Sequence, residues 1–451
     1  MRQSDRTELS ETEQEKGEAQ AASPFFRAYA ERAFSRSFIM EMKTLSKNWG
    51  MTQMAKTVLI DGARTPFGKM GGALMTKTAS DLGGIAIEEA LKRAGVAPDQ
   101  IDEVIMGTVL QGGQGQIPSR QAAVKGGIPW SVKTETVNKV CASGMRSVTL
   151  ADQLIRLGDE EVIVAGGMES MSNAPYYLPN ARFGLRMGDA QLIDGMIYDG
   201  LSDSFAPGHA HMGTFGNKTA DEFSVTRERQ DEWALRSHER AVKAMEDGIF
   251  AEEIVSVEIP QRKGDAVVVS QDEAPRKETS LDVLAKLRPA FGKDGSVTAG
   301  NAPGVNDGAC AMVLMSDERA EREGKDVLAT VIGHAEVAIE PENFPQTPGL
   351  VINEILKKTG RSIEDIDLFE VNEAFAVVAL ASSDIAKLDP EKVNVHGGAV
   401  ALGHPIGASG ARIILTLAYE LKRRGGGIGI AAICSGGGQG DAIMIEVPKQ
   451  G

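Results

Sequence analysis

From residue 57 onward, short apolar runs alternate with longer stretches whose apolar side chains recur every three or four positions. Residues 58–60 (Val58, Leu59, Ile60) form an apolar run that stops at Asp61-Gly62-Ala63-Arg64-Thr65-Pro66, which predicts a strand ending in a turn. Residues 80–93 carry Leu82, Ile85, Ile87, Ala90 and Leu91 at helical spacing, with Gly95 as the C-terminal stop. Residues 104–106 read as a buried strand, 148–157 as a helix, and 162–165 as a strand running into Gly166-Gly167. Strands that alternate with helices predict an α/β fold with a largely parallel sheet.

The pattern repeats. Ile87, Glu89, Leu91, Lys92 and Gly95, then Ile101 and Asp102, recur 265 positions later as Ile352, Glu354, Leu356, Lys357, Gly360, Ile366 and Asp367. Ala142-Ser143-Gly144 and Arg146 recur 266 positions later as Ala408-Ser409-Gly410 and Arg412. A nearly constant offset through helix, loop and strand predicts two similar halves, 54–172 and 322–451. Ligands in such sheets favour the carboxyl ends of strands, so a site between the halves would draw on both. The intervening 173–321 differs, with Pro175-Tyr176-Tyr177-Leu178-Pro179, a Met- and Gly-rich stretch and a charged helix over about 226–246. It reads as an insertion suited to substrate binding.

Residues 1–53 depart from this regularity. Their polar start, with Glu8, Glu11, Glu13, Glu15 and Glu18, cannot bury a core and is expected to be disordered. Phe25, Phe26, Phe34 and Phe38 then alternate with Arg27, Arg32 and Arg36. A non-conforming leader is the expectation, with a start at Met51 or Met54; a targeting segment or a regulatory tail is the other reading.

Composition narrows the function. The 451 residues hold 63 acidic and 48 basic side chains, a net charge of −15 without the basic footprint of a nucleic-acid binder. No apolar run reaches the ~18 residues of a membrane span. Three scattered cysteines make no disulfide framework, and no C-x-x-C pair suggests zinc. His209 and His211 have no third ligand near them, so no metal is expected. A cytoplasmic protein is the expectation.

Candidate chemistry lies at strand ends. Cys141 follows the strand-like 134–140 and precedes a helix, whose N-terminus would favour a thiolate; it is either a nucleophile or a buried structural cysteine. His404 sits in the glycine-rich 394–410, as a general base, a packed side chain or part of a phosphate cradle. That segment matches neither the P-loop nor the dinucleotide fingerprint. Cys434 opens Cys434-Ser435-Gly436-Gly437-Gly438 after the apolar run 428–433. Asn372 could donate to a developing negative charge or cap a helix. Glu373 reads as a first-turn helix charge rather than an acid catalyst.

Taken together, five segments resemble the thiolase family, in its short-chain acetyl-CoA C-acetyltransferase branch. They are Asn138-Lys139-Val140-Cys141-Ala142-Ser143-Gly144, Gly166-Gly167-Met168-Glu169-Ser170-Met171-Ser172, Asn372-Glu373-Ala374-Phe375-Ala376, Gly403-His404-Pro405-Ile406-Gly407-Ala408-Ser409-Gly410 and Cys434-Ser435-Gly436-Gly437-Gly438. The likeness spans about 57–448. It implies a thiolase-like fold: two duplicated βαβαβαββ halves in five α-β-α-β-α layers, with a loop domain inserted in the first.

The same resemblance implies roles. Cys141 would carry the acyl group, His404 would take its proton, and Cys434 would be the second acid/base. Asn372 would join His404 around an enolate oxygen, and the N–H groups of Cys141 and Gly436 would form the other oxyanion hole. Coenzyme A contacts map onto Leu201, His211, Met212, Arg276, Phe291, Ala299 and Ala302, with Arg276 either on a phosphate or a solvated charge. Cys310 would be a buried filler. The implied activity is reversible condensation of two acetyl-CoA to acetoacetyl-CoA plus CoA. CoA is then substrate and product, no separate cofactor is needed, and the assembly would be a homodimer or homotetramer. A broader 3-ketoacyl-CoA thiolase of fatty-acid metabolism and a non-catalytic acyl-CoA binding protein are the alternatives. Two departures stand out: Pro303 where many thiolases have serine, and Phe344-Pro345 where many short-chain members have Met-Gly. Phe344 would reshape the acyl pocket and admit a 2-methyl branch.

Overall fold

The structure is a computed structural model that describes residues 55–449. The expected leader, 1–53, lies outside the described residues, as do Met51 and Met54 as candidate starts.

The first half runs β1 (Thr57–Arg64), the short β2 (Gly68–Lys69), helix Ala79–Ala94, β3 (Glu103–Gly107), helix Pro118–Lys125, β4 (Lys133–Val137), helix Ser143–Leu157 and β5 (Val162–Ser170). Two small ribbons follow, β6 (Tyr176–Tyr177) with β7 (Ile193–Asp194) and β8 (Val257–Ile259) with β9 (Val267–Val269). Between them lie helices Met212–Glu222 and Arg227–Glu246. The chain returns to the first half as β10 (Asn306–Ser316). The second half runs β11 (Ala329–Ala338), helix Thr347–Thr359, β12 (Leu368–Val371), helix Ala376–Ala386, helix Ser409–Arg423, β13 (Gly427–Ser435) and β14 (Gln439–Val447).

The strand order is β4-β3-β5-β10-β1 in one half and β11-β14-β13-β12 in the other. Only two residue pairs, Val58↔Thr330 and Leu59↔Ala329, join them. The sheets are mixed, not largely parallel as the alternation suggested. Helical crossovers make β3 parallel to β4 and β5, and β12 to β13. The closing strands β10 and β14 run antiparallel to both neighbours because no helix precedes β14 and the insertion replaces a crossover before β10.

Side-chain parity then builds five layers. Val162 and Val164 face the helices Ala79–Ala94 and Pro118–Lys125, whereas Ile163 and Ala165 face the middle. Ile430 and Ala432 pack on helices Thr347–Thr359 and Ala376–Ala386, whereas Ala431 and Ile433 face the middle. The middle layer is the pair Ser143–Leu157 and Ser409–Arg423, joined in one apolar cluster with both sheets. Strand period two thus sorts each residue into one of two cores.

The second half differs from the first at its edge. The counterpart of β4 shrinks to one bridge, Phe369↔Val393. Asn394 replaces the ladder: its Oδ1 accepts from Val371 N at 2.8 Å and its Nδ2 donates to Val371 O at 2.8 Å. Arg236 and Arg240 of the insertion helix donate to Val393 O.

Glu373 couples the insertion to this half, and it is not a helix charge. It precedes helix Ala376–Ala386 and is buried. Its carboxylate accepts from Trp233 Nε1 at 2.8 Å, Ser237 Oγ at 2.8 Å, Asn394 Nδ2 at 2.9 Å and Val400 N at 3.0 Å. Each donor lost leaves a buried carboxylate short of a partner. Trp233→Phe should therefore lower stability by about 1–3 kcal/mol. The check is a denaturant melt with a lower midpoint and an unchanged slope.

Candidate active site

Cys141 lies in the short connection from β4 to helix Ser143–Leu157. Asn138 Oδ1 accepts from Val140 N at 3.1 Å, and Val140 takes φ 44°. That left-handed conformation is costly for a β-branched residue, and it turns the next side chain out onto a cavity wall. The N–H groups of Cys141 and Gly436 both donate to the Cys141 sulfur. Two backbone donors converge where charge would develop on a captured carbonyl. Gly436 lies in the β13–β14 turn, where Gly437 and Gly438 at φ 75° and 73° require glycine. Burial pushes the Cys141 thiol up to about 12, so it rests protonated. The helix N-terminus expected to favour thiolate is outweighed by desolvation.

His404 is held at two points. Its N–H donates to Asn306 Oδ1 at 2.9 Å, and its Nδ1 lies 2.6 Å from Ser409 Oγ. Ser409 Oγ donates its only proton to Pro405 O at 3.0 Å. It must therefore accept from Nδ1–H, which leaves Nε2 as the lone-pair nitrogen. Nε2 has no hydrogen-bond partner among the described residues, and His404 lines the same cavity as Cys141. Burial, with Arg412 adding to it, lowers the imidazole to about 3. The resting pair is a neutral thiol and a neutral imidazole.

Cys434 is the penultimate residue of β13 and fully buried. Burial first, then the neighbouring Cys141, raises its thiol well above the ordinary value. Asn372 is also fully buried, and among the described residues neither its Oδ1 nor its Nδ2 has a hydrogen-bond partner. It caps no helix, since helix Ala376–Ala386 is preceded by Phe375.

The cavity is about 500 Å³ and mainly apolar. Cys141, His404 and Gly436 line it, together with Leu201, His211, Met212, Phe291, Ala299, Ala302 and Phe344. His211 stacks on Phe291 with ring centroids 4.3 Å apart, and Phe344 meets Phe215 edge-on at 6.4 Å. Pro303 also lines it. Cys434 and Asn372 sit behind the lining. Arg276 lies in a separate groove with Lys277, Lys243 and His238, its N–H donating to His238 Nδ1 at 3.1 Å.

Sequence reading missed Ser409, Asn306 and Glu169. The signal for Glu169 was present: it is the one charged residue in the largely apolar strand β5. Ser409 lay five residues after His404, inside the repeated Ala-Ser-Gly, but its partner depends on the loop conformation. Cys310 is buried in β10 within the middle core.

Comparison with known proteins agrees with this geometry. The family model described as the thiolase N-terminal domain matches residues 57–318, and that of the thiolase C-terminal domain matches 325–447. An acetyl-CoA acetyltransferase of Cupriavidus necator is 49% identical over 393 residues, covering 87% of this chain and 100% of the relative. A probable acetyl-CoA acetyltransferase of Mycolicibacterium smegmatis is 48% identical over 389 residues, covering 86% and 100%. The crystal structure of the Bacillus anthracis acetyl-CoA acetyltransferase superposes with a TM-score of 0.85 at 44% identity, covering 88% of this chain and 99% of that one. The chain belongs to the thiolase family of acyltransferases.

Proposed function

We propose that this thiolase is an acetyl-CoA C-acetyltransferase, interconverting two acetyl-CoA with acetoacetyl-CoA and CoA. The convergence of Cys141, His404 and two backbone N–H groups on one cavity, with Cys434 beside Cys141, carries the reading. In thiolysis, His404 Nε2 takes the Cys141 proton and the sulfur attacks the 3-keto carbon of acetoacetyl-CoA. The C2–C3 bond breaks, and the departing acetyl-CoA carbanion takes the Cys434 proton. Asn372 and His404 stabilise its enolate oxygen. The Cys434 thiolate then deprotonates CoA, whose sulfur displaces Cys141 from the acetyl group, and the released Cys141 sulfur takes its proton back from His404. Condensation runs these steps backwards.

Burial supports this order, because Cys434 starts as the protonated acid that thiolysis needs. Covalent capture divides a difficult carbon–carbon cleavage into two steps. CoA is substrate and product, no further cofactor takes part, and the enzyme works in the cytoplasm as a homodimer or homotetramer. Arg276 serves a phosphate at the far end of CoA, a local positive charge on an acidic protein. A broader 3-ketoacyl-CoA thiolase is the second reading, favoured by Staphylococcus aureus relatives named probable acetyl-CoA acyltransferase at 47% identity.

Incubation with acetoacetyl-CoA should leave an acetyl group on Cys141 by mass spectrometry; an unmodified Cys141 defeats the covalent mechanism. The kcat/KM profile should peak at four carbons, and a medium-chain optimum selects the second reading. With Phe344 forming the acyl wall, 2-methylacetoacetyl-CoA should be cleaved where acetoacetyl-CoA is. Absence of that cleavage removes the branched-substrate assignment.

The neutral resting pair has its own signature. Because burial raises Cys141, its thiolate fraction grows about tenfold per pH unit below that value. Alkylation of the free enzyme by iodoacetamide should accordingly rise by about that factor per unit from pH 6 to 9. A plateau within this window would reveal a preformed thiolate–imidazolium pair instead.

A further inference from the structure

The segment Gly166–Ser172 supplies no group to the reaction above, yet it carries a carboxylate at the heart of the molecule. Glu169 is fully buried at the end of β5. Its partners are all neutral donors. Oε2 accepts from Val109 N at 2.9 Å and from Gly407 N at 3.0 Å. Oε1 accepts from Leu110 N at 3.2 Å and Thr108 Oγ1 at 3.2 Å. Burial raises its carboxyl to about 7 despite those four donors. A charge-neutral residue would fill this volume without that desolvation cost, so the acceptor atoms themselves need an explanation.

Gly407 supplies it. The loop from His404 to Gly407 crosses between the halves with its N–H groups free of a strand or helix ladder. One side chain holds each end. Asn306 of β10 accepts from His404 N, and Glu169 of β5 accepts from Gly407 N. These strands are adjacent, with Asp307 paired to Ser170, so both tethers rise from one rigid pair in the first half. The approach is close: a Cβ on Gly407 would lie 2.7 Å from Glu169 Oε2 and 2.6 Å from Met168 O.

The internal repeat contains a reciprocal contact. Ser435 closes β13 at the position 266 residues after Glu169, and its Oγ donates to the carbonyl of Lys139. Lys139 is likewise 266 residues before Pro405. Each half therefore ends a strand with a polar side chain that grips the other half's catalytic loop: Ser435 that of Cys141, Glu169 that of His404.

Resting on His404 as the base of Cys141, we propose that Glu169 is a positioning residue of the thiolase reaction. Its carboxylate tethers Gly407 and so sets the distance from His404 Nε2 to the Cys141 sulfur. The group acts as a hydrogen-bond acceptor, not as a charge. A misplacement of about 1 Å costs roughly 10²-fold in rate.

Three variants separate acceptor from charge. Glu169→Gln keeps the length and can keep its carbonyl oxygen on Val109 N and Gly407 N. Glu169→Asp keeps the charge but is one methylene too short to reach Gly407. Glu169→Met keeps the length and has no strong acceptor. Thermal unfolding and single-turnover acetylation of Cys141 by acetoacetyl-CoA are measured for each, with steady-state kcat and KM. The expected order of kcat and acetylation rate is Gln, then Asp, then Met. Gln should stay within about tenfold of the parent and Met should fall about a hundredfold or more, with KM changed less than about threefold. Asp as active as Gln, or more so, overturns the proposal, because charge would then be what matters. A folded Asp or Met variant with parental kcat also overturns it. Should Met not fold, the order of Gln and Asp decides alone. Failure of the parent enzyme to acetylate Cys141 defeats the underlying reading instead, so the two failures are distinguishable.

Discussion

Backbone meets backbone at the centre of this molecule, and the rest of the structure depends on that approach. The N-termini of helices Ser143–Leu157 and Ser409–Arg423 touch where Gly144 and Gly410, equivalent in the repeat, carry no side chain. A Cβ on Gly144 would lie 2.8 Å from Gly407 O, and one on Gly410 would lie 2.5 Å from Met145 N. A Cβ on Gly167 would sit inside the carbonyl of Gly407. Only hydrogen at these positions lets the Cys141 and His404 loops converge. The glycine richness of the chain thus has a geometric purpose at a few positions.

Burial, not net charge, sets the chemistry there. The protein carries an excess of acid, but its site is made of groups held neutral by desolvation: Cys141, Cys434 and His404. Proton transfer therefore awaits substrate, and the convergent N–H groups stabilise charge only when it forms. The buried carboxylates behave differently from each other. Glu373 gathers donors from the insertion and second half, whereas Glu169 gathers them from the 108–110 loop after β3 and from the loop of His404.

Much of this was legible in the sequence, because periodicity and repetition are local. The helix over 80–93, the strand at 162–165 and the offset of 265–266 all follow from side-chain pattern. So did Cys141, just past a strand end, and His404, in a glycine-rich loop. Sheet polarity was not legible, since apolar runs look alike in parallel and antiparallel ladders. Nor was the loss of a strand at Val393, where Asn394 replaces backbone pairing with its own amide. Glu373 misled because an acid near a helix start is ordinarily solvated. The tautomer of His404 needed Ser409, and the partner of Glu169 lies 238 residues away along the chain.

The reciprocal grip of Ser435 on one loop and Glu169 on the other has an energetic corollary. Neither half contains a complete pocket to lose or keep by itself. If helix Ser409–Arg423 lifts from its counterpart, His404 and the support of the cysteine loop depart together. Catalytic competence and the docking of the two halves are then one cooperative transition, so the enzyme has no partly assembled form with a working site.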